Sequence, residues 1–223
     1  MNKRNLRLVA AVLWTAFRCV SVNAQDESWN TVEIPGICSF KIPSTVEVQA
    51  GSYKEISNKY QERILSITVS PDRVVAQPKG INEMDPDALK RYCRVIVETN
   101  RDKPGDWEKL GTRIRLSKPD LKMIDDMFKK GVENEAMRVS SRGLKMEILS
   151  WNPATVEKIN GIDTMKISYT RSTNDGPPVL VNMHSIDNND FLHRITISYR
   201  LSEKELWAED LMKVLDTFEF VRR

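Results

Sequence analysis

Ile159-Asn160-Gly161-Ile162-Asp163-Thr164-Met165-Lys166-Ile167-Ser168-Tyr169-Thr170 is the stretch that decides the fold. Asn-Gly between two extended runs signals a type I′ hairpin, because that turn needs positive φ at both central residues and its twist matches the flanking strands. After the turn, Met165, Ile167 and Tyr169 alternate with Thr164, Lys166, Ser168 and Thr170, the period-two pattern of a half-buried strand. Ser172-Thr173-Asn174-Asp175-Gly176-Pro177-Pro178 ends it, since Gly and Pro cannot continue a ladder. Residues 179–186 and 191–201 read as the next two strands. Then the period changes. Ser202-x-x-Glu205 has the form of a capping box, and Leu206, Trp207, Leu211, Val214, Leu215 and Phe218 recur at helical spacing. Phe218-Glu219-Phe220-Val221 closes the chain as a short extended segment.

Working back from the hairpin, residues 145–156 lead into it in extended form, interrupted at Pro153. Ser117-x-x-Asp120, with Pro119 in the first turn, opens a helix whose apolar positions are Leu121, Ile124, Met127, Phe128 and Val132. Asp85-Pro86-Asp87 predicts an earlier helix with Leu89, Tyr92, Cys93 and Ile96 on one face. Residues 63–70 read as a strand stopped by Pro71, and residues 74–80 as loop. Nearer the N-terminus, Val32 and Ile34 precede a Pro35-Gly36 turn, after which Cys38, Phe40 and Ile42 alternate with Ser39 and Lys41.

Residues 1–24 are set apart from the fold. Lys3, Arg4 and Arg7 precede a short apolar run from Leu8 to Phe17, and Val22-Asn23-Ala24 has small residues where a signal peptidase reads them. A bilayer span needs about 20 apolar residues, so a secretory signal cleaved near Ala24 is the better reading than a permanent anchor. Cys19 raises lipidation as an alternative, but Phe17 and Arg18 are the wrong residues to precede a lipidated cysteine. Cleavage would place a single domain, residues 25–223, in the periplasm or outside the cell. It also changes the charge. The chain has 34 basic and 31 acidic residues, and removing Lys3, Arg4, Arg7 and Arg18 leaves 30 basic against 31 acidic. A nucleic-acid partner recognised through bulk positive charge is excluded on that ground.

The mature chain retains Cys38 and Cys93. In an oxidising compartment they are a candidate disulfide, worth about 3 to 5 kcal/mol for so long a loop, and the alternative is two separately buried thiols. His184 and His193 flank Asp187-Asn188-Asn189-Asp190. A symmetric turn would set them opposite each other as a two-histidine metal site. Matching the apolar residues instead pairs Met183 with Ile195, Val181 with Ile197 and Val179 with Tyr199, and sends the histidines to opposite faces. No metal site is therefore expected, and the acidic turn lacks the spacing of a calcium loop. The sequence has no H-E-x-x-H, G-x-S-x-G, C-x-x-C or phosphate-cradling glycine loop. No cofactor and no catalytic residue is expected. Trp29, Trp107, Trp151 and Trp207 are candidate interface anchors; helical spacing assigns Trp207 to the core, and Trp107, in a polar loop, is the candidate interface residue.

Ile34-Pro35-Gly36, Phe40-Lys41-Ile42-Pro43, the Ile159-Asn160-Gly161-Ile162 hairpin, Ile195-Thr196-Ile197-Ser198-Tyr199 running into a helix, and the closing Phe218-Glu219-Phe220 together resemble the PsbP-like superfamily, which takes in PsbP, the Mog-type Ran-binding factors and periplasmic DcrB-type proteins. The resemblance covers most of the mature chain and leaves about Asn100 to Arg142 unmatched. It implies an α+β fold, a three-layer α/β/α sandwich around a mainly antiparallel sheet. It also implies a non-enzymatic binding or assembly role, and carries over no site residue. The expectation is an exported module of a bacterial cell envelope that contacts another protein. The alternative is a carrier with a lipid or other apolar ligand between sheet and helix, which requires an apolar cavity of several hundred Å³.

Overall fold

The structure, a computed structural model, describes residues 29–63 and 68–223. Its frame is a seven-stranded sheet in which every neighbouring pair is antiparallel, in the order β3-β4-β5-β9-β8-β7-β6. In chain order these strands are β3 (Val46–Val48), β4 (Val74–Pro78), β5 (Cys93–Arg101), β6 (Met146–Ile159), β7 (Ile162–Thr173), β8 (Val179–Asn188) and β9 (Phe191–Arg200). The expected hairpin joins β6 to β7, with Ile159 opposite Ile162 and φ of 44° and 80° at Asn160 and Gly161. A second, three-stranded sheet is made of β1 (Trp29–Ile34), β2 (Cys38–Pro43) and the two-residue β10 (Glu219–Phe220). The helices are α1 (Gly51–Arg63), α2 (Pro86–Leu89), α3 (Lys118–Ser140) and α4 (Lys204–Asp216).

The register assigns each face of the large sheet. Cys93, Val95, Val97 and Thr99 of β5 lie beside Phe191, His193, Ile195, Ile197 and Tyr199 of β9, and this face is buried. Against it pack α4, through Trp207, Leu211, Val214 and Leu215, and the small sheet, through Phe40. Phe40 and Phe218 stack with centroids 4.6 Å apart, so Phe218, two residues past the end of α4, locks helix and small sheet together. The opposite face carries α3, docked where Trp151 Nε1 and the Ala154 N–H both donate to Asp125, at 2.9 and 2.8 Å. The result is the expected α/β/α arrangement around an antiparallel sheet. Among the described residues no helix is long and apolar enough to cross a membrane.

Several local expectations are corrected. The helix read from Asp85 lasts only from Pro86 to Leu89, and Tyr92 to Ile96 belong to the approach to β5 and to β5 itself. The apolar positions Leu89, Tyr92, Cys93 and Ile96 fit a helix, but pairing on both sides rewards the alternation Cys93, Val95, Val97, Thr99 and its β-branched residues. Residues 74–78, read as loop, form β4, buried between β3 and β5. Ser202 does not cap α4. A 3₁₀ turn, Leu201–Glu203, intervenes, and Glu203 spends its carboxylate on Trp207 Nε1 (2.8 Å) and the Tyr92 N–H (3.0 Å). The strand expected from Arg63 gives way to the end of α1, with residues 64–67 outside those described. The predicted signal segment also lies outside the described residues.

Of the two readings for Cys38 and Cys93, the structure has the second, separate buried thiols, each pushed up to about 12 by burial. Cys38 pairs with Phe220, whose ring lies 5.0 Å from that of His193, at the turn end of β9. Cys93 pairs with Tyr199 near the other end, some six residues or about 20 Å away. A disulfide requires Cα atoms within about 7 Å. Both thiols are therefore expected to react with Ellman's reagent in a denatured, unreduced preparation of residues 25–223, and neither in the native protein; a denatured thiol count of zero would show a bridge. Phe218→Ala should remove the stack on Phe40 and lower stability by about 3 to 5 kcal/mol, read from urea unfolding.

Candidate functional site

Between β5 and α3 runs a loop, residues 102–117, that the sheet holds at two places. Its first half is tied to the β8–β9 turn: Asp102 N donates to Asp190 O (2.8 Å), Trp107 N to Asn189 O (3.0 Å), and Asn189 N to Glu108 O (2.9 Å). Asn189, at φ 63°, also accepts the Gly105 N–H on its side-chain oxygen at 3.0 Å. The second half is tied to β7, where the Ile114 N–H donates to Asp163 at 3.1 Å. At its end Ser117 and Asp120 form the predicted capping box of α3. A loop of this length without helix or strand is unusual unless it serves a site.

Under this loop, between α3 and the sheet, lies a cavity of about 650 Å³. Ile124, Met127 and Phe128 of α3 form one wall, Met165 and Leu192 the floor, and Leu116 and Trp107 of the loop the rim. Charged groups gather at one side: Lys109, Arg113, Arg115 and Arg194 against Glu108, Asp163 and Asp187. Asp163 is held well below the usual carboxylate range, chiefly by its hydrogen bond from Lys158 at 2.5 Å. Asp187 is pushed the other way by burial. An open, more polar depression of about 620 Å³ adjoins the cavity beside the β6–β7 turn and shares Arg113, Ile114 and Asp163 with it. The volume, apolar walls and few polar groups are those of a small-molecule site.

Trp107 is half-buried on the cavity rim, with its indole N–H given to Asp102 at 2.9 Å. The histidines depart from the sequence expectation. In the actual register His184 faces Ile195 and His193 faces Ile186, so both point to the α4 side of the sheet rather than to opposite faces. Each is almost wholly buried. His193 lies between Thr99 Oγ1 (3.0 Å from Nδ1) and Asn188 Nδ2 (3.0 Å from Nε2), while His184 Nδ1 meets Thr164 Oγ1 at 3.3 Å and its Nε2 finds no partner among the described residues. Neither reaches the cavity. Among the described residues no group of three or more His, Cys, Asp or Glu could hold a metal ion.

The cavity walls on α3 were legible as the apolar positions Ile124, Met127 and Phe128 of a predicted helix. Arg113, Arg115 and Arg194 carried no local signal, because long-range backbone contacts bring them together.

No family model and no curated protein matches the sequence. The structure is similar to the solution structure of PsbP (CyanoP) from Synechocystis sp. PCC 6803, at 14% identity and a TM-score of 0.48, covering 91% of this chain and 97% of that one. It is also similar to a protein of Bacteroides thetaiotaomicron, at 9% identity and a TM-score of 0.42, covering 83% of this chain and 46% of that one. A third similar structure is LpqN of Mycobacterium tuberculosis, described as involved in cell envelope biogenesis, at 8% identity and a TM-score of 0.38, covering 87% of this chain and 91% of that one. The first of these bears the name of the superfamily that the sequence resembles.

Burial pushes both histidines down to about 4. A folded value below the unfolded one means that the unfolded chain takes up the proton first, so stability present at neutral pH is lost as pH falls from about 6.5 towards 4. The expected loss between about pH 7 and about pH 5 is on the order of 2 kcal/mol per histidine. Urea unfolding at the two pH values measures it, and His193→Gln should remove one share of the dependence.

Proposed function

We propose that this chain is an exported, non-catalytic binding module of a bacterial cell envelope, and that it holds an apolar ligand between α3 and the large sheet. The single observation that carries the reading is the cavity of about 650 Å³ with its apolar wall of Ile124, Met127, Phe128, Met165 and Leu192. A packed interior would have removed this reading in favour of a protein partner alone. The other face of the sheet supplies the contrast, since Trp207, Leu211, Val214 and Phe218 fill it with exposures of 1% or less. That side keeps an open depression of about 540 Å³ beside Ala208, Met212 and Leu215, while the apolar cavity lies on the side of α3. The histidines support a non-catalytic role, because they are walled into the filled side and bonded to Thr and Asn side chains.

A protein partner remains a second reading, and one observation favours it. Met123 and Met137 are 65 and 63% exposed, and Met127, at the outer edge of the cavity wall, is 62% exposed. At helical spacing they share one stripe of α3, opposite the side on which Ala136 and Val139 are buried. Flexible, polarisable methionines suit an adaptable contact surface. Export itself rests on the sequence of residues 1–24 and is tested by the mass of the chain recovered from the envelope fraction.

The cavity is tested with a neutral fluorescent probe such as N-phenyl-1-naphthylamine. It should bind with a blue shift and micromolar affinity. Ile124→Trp, which fills the cavity from α3, should abolish the binding while leaving the circular dichroism and thermal transition close to wild type. Native mass spectrometry of the envelope-purified protein should release a small apolar mass. Absence of both signals would leave the protein-partner reading standing.

A further inference from the structure

We infer that the ligand is a single-chain amphiphile with an anionic head group, its chain along α3 and its head against Arg194, with Arg113 and Arg115 at the mouth. The inference rests on the cavity reading and adds the chemistry of the head. Four cations line the cavity, Lys109, Arg113, Arg115 and Arg194, and none enters an ion pair of the described residues. Three carboxylates line it too, but they are committed or muted. Asp163 is taken by Lys158 at 2.5 Å and by the Ile114 N–H at 3.1 Å. Asp187 accepts the backbone N–H of Glu108, and its burial works against the charged form. Glu108 is left on the exposed rim.

Arg194 decides the polarity. It stands on β9 facing Glu98 of β5 and Ser185 of β8. Glu98, the carboxylate facing it across the β5–β9 ladder, is already paired with Arg73 at 2.8 Å. The Arg194 Nε is buried and meets no acceptor among the described residues. A buried cationic donor without an acceptor is destabilising, and a ligand oxygen at this position would satisfy it. The planar guanidinium fork suits a carboxylate or phosphate, whereas an ammonium head would be repelled. Leu192, two residues earlier on the same face of β9, and Phe128 across from the sheet continue the cavity in apolar form. A polar end of one sign followed by an apolar run is the shape of an anionic amphiphile. The volume, in the middle of the usual range for small-ligand sites, suits one chain rather than two.

The test titrates the protein, at physiological ionic strength, with four probes sharing one chain: dodecanoate, dodecyl phosphate, dodecanol and dodecyltrimethylammonium. Both anions should bind at least about tenfold more tightly than the alcohol, and the ammonium most weakly. The ratio between the two anions distinguishes a carboxylate from a phosphate head. Arg194→Gln should cost the anions about tenfold or more and leave the alcohol unchanged. If that variant does not fold by circular dichroism, the surface pair Arg113→Gln/Arg115→Gln should weaken the anions several-fold and flatten their salt dependence. Equal affinity for dodecanoate and dodecanol, or an unchanged anion affinity in both variants, would overturn the head-group inference while leaving the cavity reading in place. Failure of all four probes would overturn the cavity reading itself.

Discussion

The register between β8 and β9 is the constraint on which both the core and the cavity depend. Asn188 faces Phe191 across a two-residue turn, and from that pairing every residue of the two strands is assigned a side. His193, Ile195, Ile197 and Tyr199 go to the filled face, and Leu192 and Arg194 to the cavity. Because side chains alternate along a strand, a slip of one residue would exchange the two sets completely. The turn is held accordingly. Asn189 sits at positive φ, the loop of residues 102–108 bonds its backbone on both sides, and Asn188 reaches His193 Nε2 and the Val221 carbonyl, 3.0 and 2.8 Å away. The contacts that build the cavity rim are thus the same ones that pin the register.

That register also shows where sequence reasoning ran out. Matching Val179, Val181 and Met183 to Ile195, Ile197 and Tyr199 assumes that the apolar residues of β8 face the core. The core side of β8 instead presents Leu180, Asn182, His184, Ile186 and Asn188, three of them polar. Those polar side chains are tolerated where they find partners, as Asn188 and His184 do. The apolar odd-numbered residues line the α3 side. When both faces of a strand are covered, hydrophobic period alone cannot choose between them. The Asn160-Gly161 hairpin, by contrast, was legible from two residues, because its turn chemistry is local. The same contrast explains β5: Leu89 to Ile96 fits a helix locally, and only pairing with β4 and β9 makes it a strand.

The candidate site was legible least of all. Residues 100–142, which the family resemblance left unmatched, supply most of the cavity wall. The helix in that stretch was readable from Ser117-x-x-Asp120 and its apolar spacing. The loop before it was not, since its shape is set by bonds to Asp163, Asn189 and Asp190, which lie some 50 to 90 residues away in the chain. Trp107, the candidate interface residue, stands at the cavity rim with its N–H given to Asp102.

Why the space lies on the α3 side follows from how the two major helices meet the sheet. Helix α4 buries four large residues and is followed two residues later by Phe218, so one face of it is pressed onto β9 and β2. Only Ala136 and Val139 of α3 are buried, both near its C-terminal end. About a third of the way along, Asp125 ties the helix to Trp151 and Ala154 through hydrogen bonds. The N-terminal part therefore meets the sheet edge by a polar tether and reaches across β7 and β9 without filling the space beneath it. Ile124 and Phe128 are apolar residues on the packing side of an amphipathic helix whose neighbour is a cavity. Left unfilled, such a space forfeits dispersion contacts and weakens the fold, so a helix optimised for stability alone would carry larger side chains there or lie closer. Departures from well-filled packing concentrate at functional sites, and an unfilled wall beside the buried Arg194 Nε, which has no acceptor among the described residues, is a departure in packing and in electrostatics at one place.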